Sequence, residues 1–299
     1  MGLVGALLDW LVTALGATFV FVALRDIFHT LWHPSGRGEL SRAVIGAVWR
    51  AGRSVRRRGR RGSLAGPLAM VAVVSSWAAL IVLGGALVYA PHLPESFSLD
   101  STLGPDRGGF PDAIYLSLVT TATLGFGDIV PTAGWLRVVV PTQALIGFGL
   151  LTAAVTWVLQ LYPTLIRRRA LAVRLASLHH VDAVAMMNTP TGTLAVHVLD
   201  GLAGQFTQAR VDMTEYAETY YFREGTPEAA LPAMVGHAVD LADLARRSPC
   251  EDVRLAGQLL ARSLEDYAVV VNRQFLRQEG AVRELLRAYA VDHGYDPRL

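Results

Sequence analysis

Lysine is missing from this chain of 299 residues, and all 27 of its basic residues are arginine. We read that bias as codon usage in GC-rich DNA and attach no function to it. Cysteine is reduced to Cys250, which excludes an intrachain disulfide and fits a reducing compartment. Charge is scarce: 17% of residues carry it, and 27 arginines against 25 acids leave a net +2. So even a balance, with its basic residues concentrated beside apolar segments, excludes nucleic acid as an expected partner. No Gly-x-Gly-x-x-Gly follows a strand-like run, so no dinucleotide-binding domain is indicated. Alternating strand patterns are missing as well. No nucleophile–base pair and no closed metal-ligand set can be read, so the chain is not expected to be an enzyme or to need a cofactor.

What the sequence has in abundance is apolar surface, 52% of residues at a mean hydropathy of +0.36, and it is concentrated. Three segments reach the roughly 20 apolar residues that cross a bilayer. They are Leu3 to Leu24, interrupted by Asp9; Pro67 to Ala90; and Gly134 to Leu161, with Arg137 at its start. Asp9 lies close to the end of its segment, where interfacial exposure accounts for it. A basic stretch ahead of the first segment is missing, which argues against a cleaved leader. Ten arginines lie from Arg25 to Arg61, and Arg167-Arg168-Arg169 follow the third segment, whereas the stretch from Pro91 to Pro111 holds Glu95, Asp100 and Asp106 against Arg107. Arginine-rich loops stay cytoplasmic. The expected topology is therefore a multi-pass protein of the cell membrane, N-terminus outside and C-terminus cytoplasmic.

Between the second and third segments runs Leu118-Val119-Thr120-Thr121-Ala122-Thr123-Leu124-Gly125-Phe126-Gly127-Asp128-Ile129-Val130-Pro131. Pro111-Asp112 makes a good helix start, with proline at the first position and an acid at the positive end of the dipole. The uncharged run Ala113 to Ala122 then leads into the glycines. Irregular backbone at membrane depth is tolerated where it lines a watery cavity or is buried in protein. Glycines at alternate positions accept φ > 0 without penalty and can turn successive carbonyls the same way. A ring of such oxygens can replace the water around a cation.

Thr123-Leu124-Gly125-Phe126-Gly127-Asp128 resembles the selectivity-filter signature of potassium channels. With its flanks, about Pro67 to Tyr162, it is similar to the minimal pore of tetrameric cation channels: outer helix, pore loop, inner helix. The resemblance implies four copies about one axis and K+ as the permeant ion, held by the carbonyls of Thr123 to Phe126 and the Thr123 hydroxyl, with Asp128 at the outer end. It places Gly147, with Gly149 close by, where the family's inner-helix hinge lies; both are also explicable as close-packing residues. Leu124 stands where Val or Ile is usual, Phe126 where Tyr is commoner, and Val119 where some members carry a filter-supporting acid. Tyr115-Leu116 replaces an aromatic pair. Regularly spaced arginines within a span are missing, so a voltage sensor of the usual kind is not expected. The first span is additional to the family pattern.

The fold class expected is an all-α membrane protein. It has three transmembrane helices plus a re-entrant pore helix and filter loop, followed by an all-α cytoplasmic domain. The divisions are 1–24 (N-terminal span), 25–66 (Arg-rich cytoplasmic loop with an amphipathic helix over Leu40 to Val55), 67–162 (pore domain) and 163–299 (helical cytoplasmic domain). The amphipathic helix, with Ala43, Val44, Ala47, Val48 and Trp49 toward one side, either lies on the membrane surface or packs on the cytoplasmic domain. Pro163 marks a possible end of the inner helix. Cytoplasmic helices are expected near Thr164–Met187, Leu194–Tyr221, Pro227–Arg247, Pro249–Leu276 and Ala281–Asp292. Ser248-Pro249-Cys250-Glu251 matches a reciprocal capping box. Asp26, His29 and His33 share a helix face and are candidates for a metal or pH sensor. His179-His180 is a weaker candidate, since adjacent helical residues point apart. The Arg56–Arg61 run is a candidate contact for anionic lipid headgroups. The function expected is a homotetrameric, potassium-selective, passive channel of prokaryotic type. The alternatives are a weakly selective monovalent cation channel and a membrane-anchored sensor or scaffold with a silent pore.

Overall fold

In a computed structural model of the chain, residues 3–31, 38–56, 65–100, 108–187 and 192–296 are described. Three helices are long and apolar enough to cross a membrane: Val4–Leu31, Ala65–His92 and Leu136–His179. The chain is an all-α membrane protein. It divides into two compact units. One combines Met1–Val48 with Leu68–Leu159, the other Trp49–Pro67 with Gln160–Leu299.

The first unit begins with α1 (Leu3–Leu31). This helix runs a full two turns past the predicted limit at Leu24. Ala23, Asp26 and Ile27 continue its buried face, so the periodicity does not stop at the first charge. The second helix, α2 (Glu39–Arg56), follows, and then α3 (Ala65–Tyr89), which closes in a 3₁₀ turn over Ala90–His92. Helices α1 and α3 meet where both are thinnest. A Cβ on Gly16 would collide with the Gly84 carbonyl, and one on Gly84 with the Gly16 carbonyl. With little hydrophobic drive between helices in lipid, small residues that let backbones touch are what hold such a crossing.

A short antiparallel ribbon, β1 (Phe97–Leu99) with β2 (Ile129–Pro131), was not expected from the sequence. Its register pairs Phe97 with Pro131 and Leu99 with Ile129, bracketing the segment that holds α4 (Phe110–Thr121). Behind α4, Tyr89, Leu93, Phe97, Leu116, Ile129 and Leu136 form a small apolar core.

The last span opens α5 (Leu136–His179), 44 residues long. Pro163 does not end it, and Pro141 does not break it. Each proline forfeits one backbone bond; at Pro141, inside the apolar run, leaving the helix would strand several unpaired groups at several kcal/mol each, so the helix continues.

The second unit holds the later part of α5 with α6 (Ala183–Met187), α7 (Thr193–Glu215), α8 (Leu231–Ala245), α9 (Glu251–Val271) and α10 (Val282–His293). Its core includes Leu171, Leu175, Leu199, Phe206, Leu260 and Tyr267. The helices expected from Leu194, Pro227, Pro249 and Ala281 are present with shifted ends, whereas Thr164–Met187 is not one helix: its first part continues α5 to His179 and its last part is α6. Tyr221 belongs to a 3₁₀ turn, Ala217–Tyr221; Pro227–Ala229 is a separate 3₁₀ turn; and Asn272–Leu276 is a single π turn. The capping box at Ser248 is not formed. Cys250 is the residue before α9 and makes no side-chain cap, while the Ser248 hydroxyl donates to the Met187 carbonyl at 2.7 Å. The same hydroxyl oxygen accepts from the Cys250 amide at 3.2 Å, so the hydroxyl serves the start of α9 and the Met187 carbonyl together.

Trp49 of α2 is buried in this core beside Tyr220, Tyr221 and His293. The buried line of α2 is Ser41, Ile45 and Trp49, whereas Ala43 and Ala47, expected on the apolar side, are exposed. His293 is 1% exposed, its Nε2 facing the Tyr220 carbonyl at 2.7 Å and its Nδ1 the Tyr289 carbonyl at 3.1 Å. Burial outweighs both contacts and pushes its pKa down to about 4. Arg168, also buried, donates to the carbonyls of Thr219 and Phe222, which gives a desolvated guanidinium the acceptors it needs.

Candidate functional site

The helix that aims at the glycine segment is set at its first turn. The Asp112 carboxylate accepts from the backbone amides of Gly108 (2.8 Å) and Gly109 (3.3 Å), closing the loop ahead of α4. At the far end the helix does not stop cleanly. The Ala122, Thr123 and Leu124 amides reach back to the carbonyls of Leu118, Thr120 and Val119 at 2.9 Å, so the chain leaves α4 on a fixed heading.

The next residues alternate in hand. Thr123, Gly125 and Gly127 have φ of 59°, 55° and 81°, while Leu124 and Phe126 stay on the negative side. Glycine takes such values freely. A β-branched threonine does not, and strain of about 1–3 kcal/mol persists where the surroundings impose it, commonly at working sites. The glycines were legible in the sequence; the strained Thr123 was not. Among the described residues no donor reaches the carbonyl oxygens of Thr123, Leu124, Gly125, Phe126 or Gly127. All five residues are exposed on the single chain, where open acceptors cost little; burying them in an assembly would demand another partner. The Leu124 and Phe126 side chains are 60% and 66% exposed on the single chain.

Beyond the fifth carbonyl the chain is tethered again. The Asp128 carbonyl accepts from the Asp100 amide at 3.0 Å, and a carboxylate oxygen of Asp128 accepts from the Tyr115 hydroxyl at 2.7 Å. Tyr115, noted in the sequence as a departure from an aromatic pair, is thus the residue of α4 that holds Asp128.

Behind α4 lies a buried polar knot that periodicity gave no hint of. The Gln143 amide of α5 donates to the Ser117 hydroxyl (2.7 Å) and the Thr121 hydroxyl (2.9 Å), and its carbonyl accepts from the Tyr89 hydroxyl. Ser117 donates onward to the Val82 carbonyl at 2.7 Å. Three helices, α3, α4 and α5, are pinned by one side chain. A fully satisfied buried network of this kind fixes one arrangement among many apolar ones.

Residues 76–162 match the family model described as ion channel. They form an ion-channel domain of the two-span, potassium-channel type. Over 169 residues the chain is 29% identical to the uncharacterized membrane protein YdjJ of Bacillus subtilis (strain 168), covering 56% of this chain and 48% of that protein. It thus spans about half the length of the curated relative it matches. No solved structure matches.

Within the ion-channel domain the two glycines of the inner helix differ. A Cβ on Gly147 would collide with the Thr121 carbonyl, so this glycine lets α5 pass against the end of α4; around Gly149 nothing lies within 4 Å. Helix α5 is continuous through both. On α5 the apolar side chains of Leu145, Phe148, Leu151, Val155 and Leu159 are exposed along one face.

The candidate sensor residues are placed as follows. Asp26 is buried, and its carboxylate accepts from the Leu40 amide (2.9 Å), the Ser41 amide (3.1 Å), the Ser41 hydroxyl and the Trp77 indole (2.8 Å). It caps the start of α2 from another helix and ties both to α3. His29 is half-buried beside Phe28, and His33 lies outside the described residues. Among the described residues no three His, Cys, Asp or Glu side chains stand close enough to hold a metal. His179 finds a partner in His237 of α8, the ring centroids 3.8 Å apart. Burial, then the neighbouring His179, lowers the pKa of His237. The sequence gave no means of pairing these two.

Proposed function

We propose that the protein is a homotetrameric, potassium-selective channel that conducts K+ passively across the cell membrane. The observation that carries this reading is the run of five carbonyls, Thr123 to Gly127, left without donors on a backbone that alternates in hand. A chain of uniform hand sends neighbouring carbonyls to opposite sides, whereas alternation lets them share one side, as dehydration of a cation requires. One chain supplies one wall. Four such walls close a ring, and the exposed Leu124 and Phe126 side chains are then the groups that neighbouring subunits cover. In the orientation set by the arginine-rich loops, Asp128 faces outside, Thr123 faces the inner cavity, and the apolar face of α5 from Leu145 to Leu159 lines the inner mouth. The second unit is cytoplasmic in this reading.

The test is reconstitution of the full chain into vesicles with opposed K+ and Na+ gradients. A reversal potential near that of K+, abolished by Gly125→Ala, supports the reading. A reversal potential near zero with robust flux replaces it by a weakly selective cation channel, for which Leu124 in the filter is the motive. Absence of flux in wild type, with an unaltered phenotype for the glycine variants, replaces it by a membrane-anchored scaffold.

A further inference from the structure

The junction of α1 and α2 holds a cavity of about 370 Å³ that the ion pathway does not use. Arg25 and Arg42 line it, with His29, Glu39, Asp26 and Val22. Both arginines are exposed, and neither has a carboxylate partner among the described residues. Among the described residues Asp26 forms no ion pair with them; its carboxylate is turned to four neutral donors of α2 and Trp77, which fix its position and leave its charge in place. Glu39 stands exposed at the rim and pairs with neither arginine.

The depth of the cavity follows from the helix. The apolar run from Leu3 to Leu24, at 1.5 Å per residue, is about 33 Å long, close to the roughly 30 Å of a hydrocarbon core. Arg25, the residue after it, therefore sits at headgroup level. Phe21, Val22, Leu24 and Phe28 are exposed on the single chain around it. Two guanidiniums without a carboxylate partner among the described residues, one of them (Arg42) donating through Nε to the Gly38 carbonyl, stand beside an apolar lip and match a phosphate carried on acyl chains. Guanidinium presents a planar fork that phosphate oxygens accept in pairs, and it surrenders its water more readily than ammonium.

We propose that this cavity binds the phosphate of an anionic glycerophospholipid, clamped between Arg25 of α1 and Arg42 of α2, with an acyl chain along Val22. These are not the arginines of the Arg56–Arg61 run that the sequence offered for lipid contact. They become neighbours because Asp26 caps α2. The inference rests on the membrane reading of α1 and not on ion conduction.

The experiment is lipid retention by the purified full-length protein in detergent, read by native mass spectrometry after titration with phosphatidylglycerol, phosphatidylcholine or inorganic phosphate. Flux is measured separately, so a silent pore and an empty lipid site are told apart. Expected is retention of phosphatidylglycerol over phosphatidylcholine, lowered about tenfold in the Arg25→Gln/Arg42→Gln double variant. Arg137→Gln, at the other end of a span, leaves retention unchanged, and Glu39→Gln raises it. Equal retention in the double variant and wild type overturns the proposal, as does weakened retention in Glu39→Gln. Displacement of the lipid by inorganic phosphate alone overturns it in favour of a free-anion site.

Discussion

The Tyr115 hydroxyl of α4 donates to a carboxylate oxygen of Asp128 at 2.7 Å, linking the helix that enters the glycine segment to the residue that leaves it. Between these two residues, the backbone hydrogen bonds seen among the described residues lie at the end of α4, where the amides of Ala122, Thr123 and Leu124 donate. A hydrogen bond to an ionised group contributes about 1.5–3 kcal/mol. Tyr115→Phe should therefore shorten sustained K+ flux without changing ion preference, as should Asp128→Asn. In a double-mutant cycle the pair should lose little more than either single variant. Additive losses would show that the two residues act separately.

The glycines separate into three classes. At Gly125 and Gly127 an added Cβ meets nothing within 4 Å, so the penalty of alanine lies in φ alone, about 1–2 kcal/mol per residue. Gly125→Ala and Gly127→Ala should abolish flux and leave the purified protein's thermal stability nearly unchanged. Gly147→Ala should instead lower stability, because the methyl group strikes the Thr121 carbonyl, and Gly149→Ala should retain both stability and flux. A stable, conducting Gly147→Ala variant would show that α4 and α5 separate more easily than their contact implies.

Gln143 can be tested by shape. Gln143→Met keeps the volume and removes every hydrogen bond that Gln143 makes in the polar knot, stranding the Tyr89 hydroxyl. An unsatisfied buried group costs about 1–3 kcal/mol. The expected result is a lowered melting temperature in detergent, part of which Tyr89→Phe in the same chain restores. No recovery in the double variant would remove Tyr89 from the account.

Acid should weaken the second unit through His293. Its folded pKa, about 4, lies below the ordinary 6.5, so the unfolded chain binds the proton more readily between these values. The stabilisation is complete above pH 6.5 and is lost as pH falls toward 4; a shift of this size corresponds to about 3 kcal/mol. His237, lowered in the same direction, adds to the trend. Thermal melts of the full chain should fall steeply below pH 6.5, and His293→Gln should flatten the profile. An unchanged slope in that variant would assign the acid sensitivity elsewhere.

Membrane character, the helical class and the place of the ion-channel domain were legible because each is a property of short stretches. Apolar length, the proline and acid that start a helix, and two glycines spaced by one residue all act within a few residues of themselves. Where prediction and structure part, a distant group intervened. Ser248 does not form the expected reciprocal box; its hydroxyl joins the Cys250 amide to the Met187 carbonyl. Pro163 stayed inside α5. For the helix carrying Trp49 the sequence left two readings open, and burial of Trp49 among Tyr220, Tyr221 and His293 favours packing on the helical domain.

By itself the sequence determined that this chain spans a membrane and carries a glycine-spaced loop of unusual backbone freedom, since hydropathy and φ preference are intrinsic to residues. Tertiary structure alone decided that Thr123 joins the alternation, that Gln143 knots three helices, and that Asp26 turns its carboxylate to α2 and Trp77. Those outcomes depend on which buried donors and acceptors meet, and chain order does not record such pairings across dozens of residues.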